Sequence, residues 1–101
     1  MDFSTTLNRG EIVIALDGEL DEKTAAQTRD YLDKRLRESS YHRVILDFAK
    51  VSFMDSTGIG VLLGRYKKVS ENGAELCVKN VNRQIDKVFR ISGLYQIIKA
   101  V

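Results

Sequence analysis

The stretch Ser52–Lys68, SFMDSTGIGVLLGRYKK, decides the fold. Just upstream, Val44-Ile45-Leu46 is an uninterrupted apolar run of the kind carried by a strand covered on both faces. Downstream of Thr57, the residues Ile59, Leu62, Leu63, Tyr66 and Val69 recur at helical spacing. A strand therefore feeds a turn and then a helix. Asp55, Ser56 and Thr57 fall at that junction, where the first backbone N–H groups of a helix have no internal partner and a carboxylate or hydroxyl can cap them. Capping accounts for those three residues but not for Gly58, Gly60 and Gly64. Relative to alanine, three glycines cost a helix about 3 kcal/mol. Either the helix approaches the sheet too closely for a Cβ, or its first turn stays open so that another molecule reaches the backbone and hydroxyls.

The flanking segments supply the remaining elements. Phe3, Thr5 and Leu7 alternate as on a short half-buried edge strand, and Asn8-Arg9-Gly10 is a turn into a second strand, Glu11 to Leu16, that lies further inside the sheet. Asp17 to Asp21 breaks the strand pattern. Asp21 then precedes a helix from Glu22 to about Glu38, with an inward stripe of Ala25, Thr28, Leu32 and Leu36 and solvent-facing pairs Asp30/Lys34 and Asp33/Arg37. Arg43 to Phe48 is the buried strand, and the helix after it stops at Asn72-Gly73. Ala74 to Lys79 reads as a further strand. Asn82 caps a short helix with Ile85, Val88 and Phe89 inward, ending at Gly93, and Leu94, Ile97 and Ile98 close the chain as a short strand or turn. The order ββαβαβα predicts an α/β fold, a mixed sheet of four or five strands with parallel crossovers and the helices packed mainly on one face.

Composition narrows the function. A chain of 101 residues with 44% hydrophobic and 30% charged residues makes one globular domain over 1–101. It contains no apolar run long enough to span a bilayer, and MDFSTTLNRG lacks the regions of a signal peptide, so a cytoplasmic protein is expected. One cysteine, Cys77, and one histidine, His42, offer neither a disulfide nor a metal-ligand cluster nor Cys-His catalysis, and both residues read as structural. With a net charge of +2 and its basic and acidic residues interspersed, the chain has no basic block for nucleic acid; Arg83, Lys87 and Arg90 read as a solvated helix face. A dinucleotide fingerprint beginning Gly58-x-Gly60 would need a third glycine where Leu63 stands, and no P-loop or nucleophile elbow is present, so no cofactor is expected.

SFMDSTGIGVLLGRYKK, with Gly18-Glu19-Leu20-Asp21 upstream and Ile91-Ser92-Gly93-Leu94 downstream, resembles the bacterial anti-sigma factor antagonists of the STAS domain family, most closely the sporulation branch that serves the forespore sigma factor. The likeness covers almost the whole chain, and Asp55-Ser56-Thr57-Gly58 also matches the phosphorylation motif of the general-stress branch. The resemblance implies a protein without catalysis of its own and monomeric when free. Unphosphorylated, it would bind an anti-sigma factor that is also a serine kinase and so release the sigma factor. Phosphorylation at the helix start would end binding, and a serine phosphatase would reset it. Ser56 is the expected phosphoacceptor and Thr57 the alternative. Asp21, Met54, Asp55, Ser56, Thr57, Gly58 and Gly60 would form the partner surface, although Asp21 also reads as a plain helix cap. Phe53 is expected inside and Met54 at least partly accessible. The other reading is a STAS module regulating a different protein, such as a transporter or a stress complex. Related antagonists commonly continue into a further C-terminal helix, which this sequence does not carry before Val101.

Overall fold

Arg9 and Gly10 hold φ values of 52° and 80°, the left-handed pair that closes a two-residue hairpin between β1 (Asp2–Asn8) and β2 (Glu11–Leu20). In this computed structural model, which describes residues 1–101, the chain continues through α1 (Ala25–Glu38), β3 (Arg43–Met54), α2 (Ser56–Glu71), β4 (Glu75–Lys79) and α3 (Arg83–Ser92). A 3-10 turn at Leu94–Gln96 leads to β5 (Lys99–Ala100). The five strands lie in the order β1-β2-β3-β4-β5, with β1 antiparallel to β2 and every other neighbouring pair parallel. This is the mixed sheet and the element order that the sequence predicts.

Strand period places the helices. Ile12, Ile14 and Leu16 of β2, Val44, Leu46 and Phe48 of β3, and Leu76 and Val78 of β4 share one face and one core with Ala25 and Leu32 of α1, Val61, Leu62 and Val69 of α2, and Ile85 and Phe89 of α3. The three helices therefore cover the same side of the sheet. Phe48 meets Phe89 edge to face at 6.0 Å, anchoring α3 on the middle strand. The opposite side is open. Ile45 and Cys77 are nevertheless buried there as a cross-strand pair, two residues along from Arg43 and Glu75, with the Arg43 guanidinium 3.7 Å from Glu11 and 3.4 Å from Glu75.

Several boundaries differ from the sequence reading. β2 does not stop at Leu16; it continues to Leu20 through irregularities between Ala15 and Asp17 and between Gly18 and Glu19, where parallel pairing with β3 outweighs the polar residues. For the same reason β3 runs on to Met54 rather than ending at Phe48. Helix α1 begins at Ala25 rather than Glu22. Within β1 only Phe3 is half-buried, while Thr5 and Leu7 are exposed, because β1 is an outer strand that α1 meets through Tyr31, whose ring stacks on Phe3 at 4.2 Å and whose hydroxyl lies 2.6 Å from that of Thr5. On α2 the buried face contains Val61 and Arg65, and Leu63 is exposed.

Arg65 explains that rotation. Its Nε lies 3.0 Å from Asp33 Oδ1 of α1, and Lys68 Nζ lies 3.2 Å from Asp33 Oδ2, so Asp33 ties the two helices together instead of pairing with Arg37 along α1. The Arg65 contact is a charge pair without hydrogen-bond alignment, and its Nη1 has no partner. Burial pulls the guanidinium below its ordinary value, and the attraction of Asp33 opposes that shift.

Candidate functional site

The register that sets Leu20 opposite Met54 brings the ends of β2 and β3 side by side, and the Asp55 amide donates to the Leu20 carbonyl oxygen at 3.3 Å. Asp21 and Asp55 each follow one of these strand ends. Asp55 has extended backbone geometry and is the N-cap of α2: its Oδ1 accepts from the amides of Thr57 at 2.9 Å and Gly58 at 3.3 Å. Asp21 plays a smaller part than a helix cap. Its Oδ1 accepts from Lys23 N at 2.9 Å and Thr24 N at 3.2 Å, closing a turn that precedes α1 by three residues. Thr24 stiffens the same turn by donating from its hydroxyl to the Glu19 carbonyl at 2.7 Å.

With Asp55 capping the helix, the two hydroxyls beside it are left over. Ser56 is exposed, Thr57 is half-buried, and neither side chain hydrogen-bonds within the protein, since the cap bonds run to Asp55 alone. The glycines separate into the two cases that the sequence leaves open. A Cβ on Gly58 would stand 2.5 Å from Met54 Cγ and 3.1 Å from the Leu20 carbonyl oxygen, so Gly58 is required by close approach. Gly60 and Gly64 meet nothing within 4 Å, and their missing side chains leave an open helix surface one and two turns beyond Ser56.

Met54 and Phe53 stand opposite to expectation. Met54 is fully buried beneath Gly58, whereas Phe53 is 40% exposed beside the site. Strand alternation forces one of the two outward, and the contact with Gly58 decides which. Met54 therefore supports the site from below and is not part of its surface.

A further support is absent from the sequence reading. Gln84, at the start of α3, accepts from Met54 N and donates to Met54 O, both at 3.3 Å, so one side-chain amide satisfies the backbone where β3 has run out of neighbours. Asn82 donates to Val51 O at 3.1 Å while capping Ile85 N at 2.9 Å. Its capping role was legible from its place before a helix; a glutamine on an exposed helix start gives no signal of a contact thirty residues away.

No helix is long and apolar enough to cross a membrane, and no group of three or more His, Cys, Asp or Glu side chains is arranged to hold a metal. The arrangement is a capped helix start that presents a free hydroxyl directly after the capping Asp55, with Asp21 following the neighbouring strand end and the half-exposed Phe53 three residues before Ser56.

Known proteins resemble the chain over nearly its whole length. The STAS domain matches residues 2–101. The chain is 35% identical over 91 residues to the anti-sigma F factor antagonist of Paenibacillus polymyxa, covering 90% of this chain and 78% of that one. It is 34% identical over 91 residues to the anti-sigma-B factor antagonist of Bacillus subtilis, covering 90% and 82%. Among solved structures, the anti-sigma factor antagonist SpoIIAA in its unphosphorylated form superimposes with a TM-score of 0.83 at 30% identity, over 99% of this chain and 88% of that one. The phosphorylated form of the Bacillus cell fate determinant SpoIIAA gives 0.74 at 30% identity, over 99% and 91%.

Proposed function

The chain belongs to the STAS domain family, and we propose that it is a cytoplasmic anti-sigma factor antagonist switched by phosphorylation of Ser56. Unphosphorylated, it binds an anti-sigma factor with serine kinase activity and displaces the sigma factor. ATP-dependent transfer of a phosphoryl group to the Ser56 hydroxyl ends that binding, and a serine phosphatase restores it. Asp21, Asp55, Thr57 and Gly60 form the contact surface around Ser56, with Gly58 and Met54 shaping it from beneath.

The observation that carries this reading is the unused, exposed hydroxyl of Ser56 on a helix start that Asp55 already caps. Because the cap does not depend on Ser56, modification leaves the helix standing. A phosphate adds about −1.5 to −2 charges, and the positive end of the helix dipole favours it there, so the domain stays folded. The change falls on the surface instead. A partner fitted to a small hydroxyl meets a bulky anion next to Asp21 and Asp55, and steric and like-charge penalties weaken the complex. The relatives named for sigma F and for sigma-B are both anti-sigma factor antagonists, which supports the partner class without distinguishing the pathway.

Titration calorimetry against the cognate anti-sigma kinase tests this. Ser56→Ala binds like the unmodified protein, and Ser56→Asp binds at least about tenfold more weakly, a difference of ~1.4 kcal/mol. Equal affinities for the two variants would overturn the switch. Recovery of a transporter or a stress complex in place of an anti-sigma kinase would instead favour the other STAS reading.

A further inference from the structure

The two edges of the sheet are built differently. β5 is two residues long and begins with Lys99, and both features discourage a further strand. β1 has neither protection: it pairs with β2 through seven consecutive residues without a bulge, contains no proline or lysine, and exposes every residue except Phe3. The hairpin determines which backbone groups it presents. A two-residue turn makes Asn8 and Glu11 a hydrogen-bonded pair, so by alternation the N–H and C=O groups of Asn8, Thr6, Ser4 and Asp2 face β2, and those of Phe3, Thr5 and Leu7 point away from the sheet.

We propose that β1 pairs with β1 of a second copy of this chain, antiparallel about a two-fold axis at Thr5, joining two sheets into one. The strand is self-complementary in that register. Phe3 lies opposite Leu7, Thr5 opposite Thr5, and every outward backbone donor and acceptor of these three residues finds a partner. Slipping by two residues sets Leu7 opposite Thr5 and strands the groups of Phe3. The side chains agree with the backbone: Phe3 and Leu7 both face the helix side, where Phe3 is stacked on Tyr31 and Leu7 is 53% exposed, so pairing covers the largest free apolar surface on the strand. Asp2 is the only charge on β1 and lies opposite Asn8, so no like charges meet. One pair of strands is a small contact beside the ~1,200 Å² of a stable interface, so association is weak and depends on concentration. The monomer expected of the free chain is its dilute form. This surface lies on β1 and does not depend on the reading of Ser56.

Sedimentation velocity on the full chain from micromolar to millimolar concentration tests the pairing, alongside amide hydrogen exchange over the same range. The apparent mass rises from 11.4 kDa toward twice that value, and Leu7→Lys holds it at 11.4 kDa without lowering the unfolding midpoint. In the unaltered chain, the amides of Phe3, Thr5 and Leu7 gain protection with concentration while those of Ser4 and Thr6 do not. A single 11.4 kDa species at every concentration overturns the proposal. So does a dimer in which exchange at Phe3, Thr5 and Leu7 is unchanged.

Discussion

Gly58 lies against Met54 so closely that a Cβ on the glycine would stand 2.5 Å from Met54 Cγ. The start of α2 is thereby pressed onto the ends of β2 and β3, and Gly58→Ala must push Met54 or Leu20 aside. Overpacking of this kind costs about 1–3 kcal/mol, read as a lower midpoint in urea unfolding. Gly60→Ala has the opposite sign. Nothing lies within 4 Å of its Cβ position, so the substitution stabilises the fold by up to ~1 kcal/mol while weakening binding to the anti-sigma kinase in calorimetry.

Asp55→Ala removes the acceptor for two helix-start amides and costs about 1 kcal/mol, with Asp55→Asn retaining most of it. Ser56→Ala leaves stability unchanged to within about 0.5 kcal/mol, because its hydroxyl supports nothing in the fold. Urea unfolding of the three variants separates the capping residue from the proposed acceptor.

How much of this was legible in the sequence depends on the range of the interaction. Caps, glycine stops and alternating strands are local, and they fixed the element order, the Asn82 cap and the left-handed Gly93 at φ 78°. Where a neighbouring strand decides, local pattern fails: β2 and β3 extend past their polar residues because each pairs with the other. The Phe53 and Met54 assignment turned on a contact with Gly58 that no spacing reveals. Nothing in LLGRYKK signals that Arg65 is buried, yet it is 6% exposed and faces Asp33 on another helix.

The Asp33–Arg65 pair predicts an asymmetric response. Asp33→Ala leaves a buried guanidinium without its countercharge and costs about 3 kcal/mol, whereas replacing both residues with leucine recovers most of that loss. Chemical denaturation of the single and double variants measures the difference.

The Cys77 thiol is pushed up to about 11, first by burial and then by its hydrogen bond to Glu75 at 3.1 Å. Iodoacetamide at pH 8 therefore alkylates the native protein about a hundredfold more slowly than the unfolded chain. Native-state reaction at the unfolded rate would contradict this burial.

Asp86 is held below the ordinary carboxyl range by the hydrogen bond from the Tyr95 hydroxyl at 2.7 Å and then by Arg90, while burial and Asp86 together push Tyr95 up to about 12. A depressed carboxyl stabilises the fold above its unfolded value of about 3.9, and the contribution is lost as pH falls through the lower folded value. Tyr95→Phe moves the Asp86 titration, followed by NMR, up toward the ordinary range.

The most direct test of the central claim is phosphopeptide mapping after incubation with the cognate anti-sigma kinase and ATP, combined with a binding measurement on the product. The account predicts one phosphate on Ser56, none on the Ser56→Ala variant, and dissociation of the modified protein from the kinase. Undiminished modification of Ser56→Ala, or a phosphorylated protein that stays bound, would contradict it.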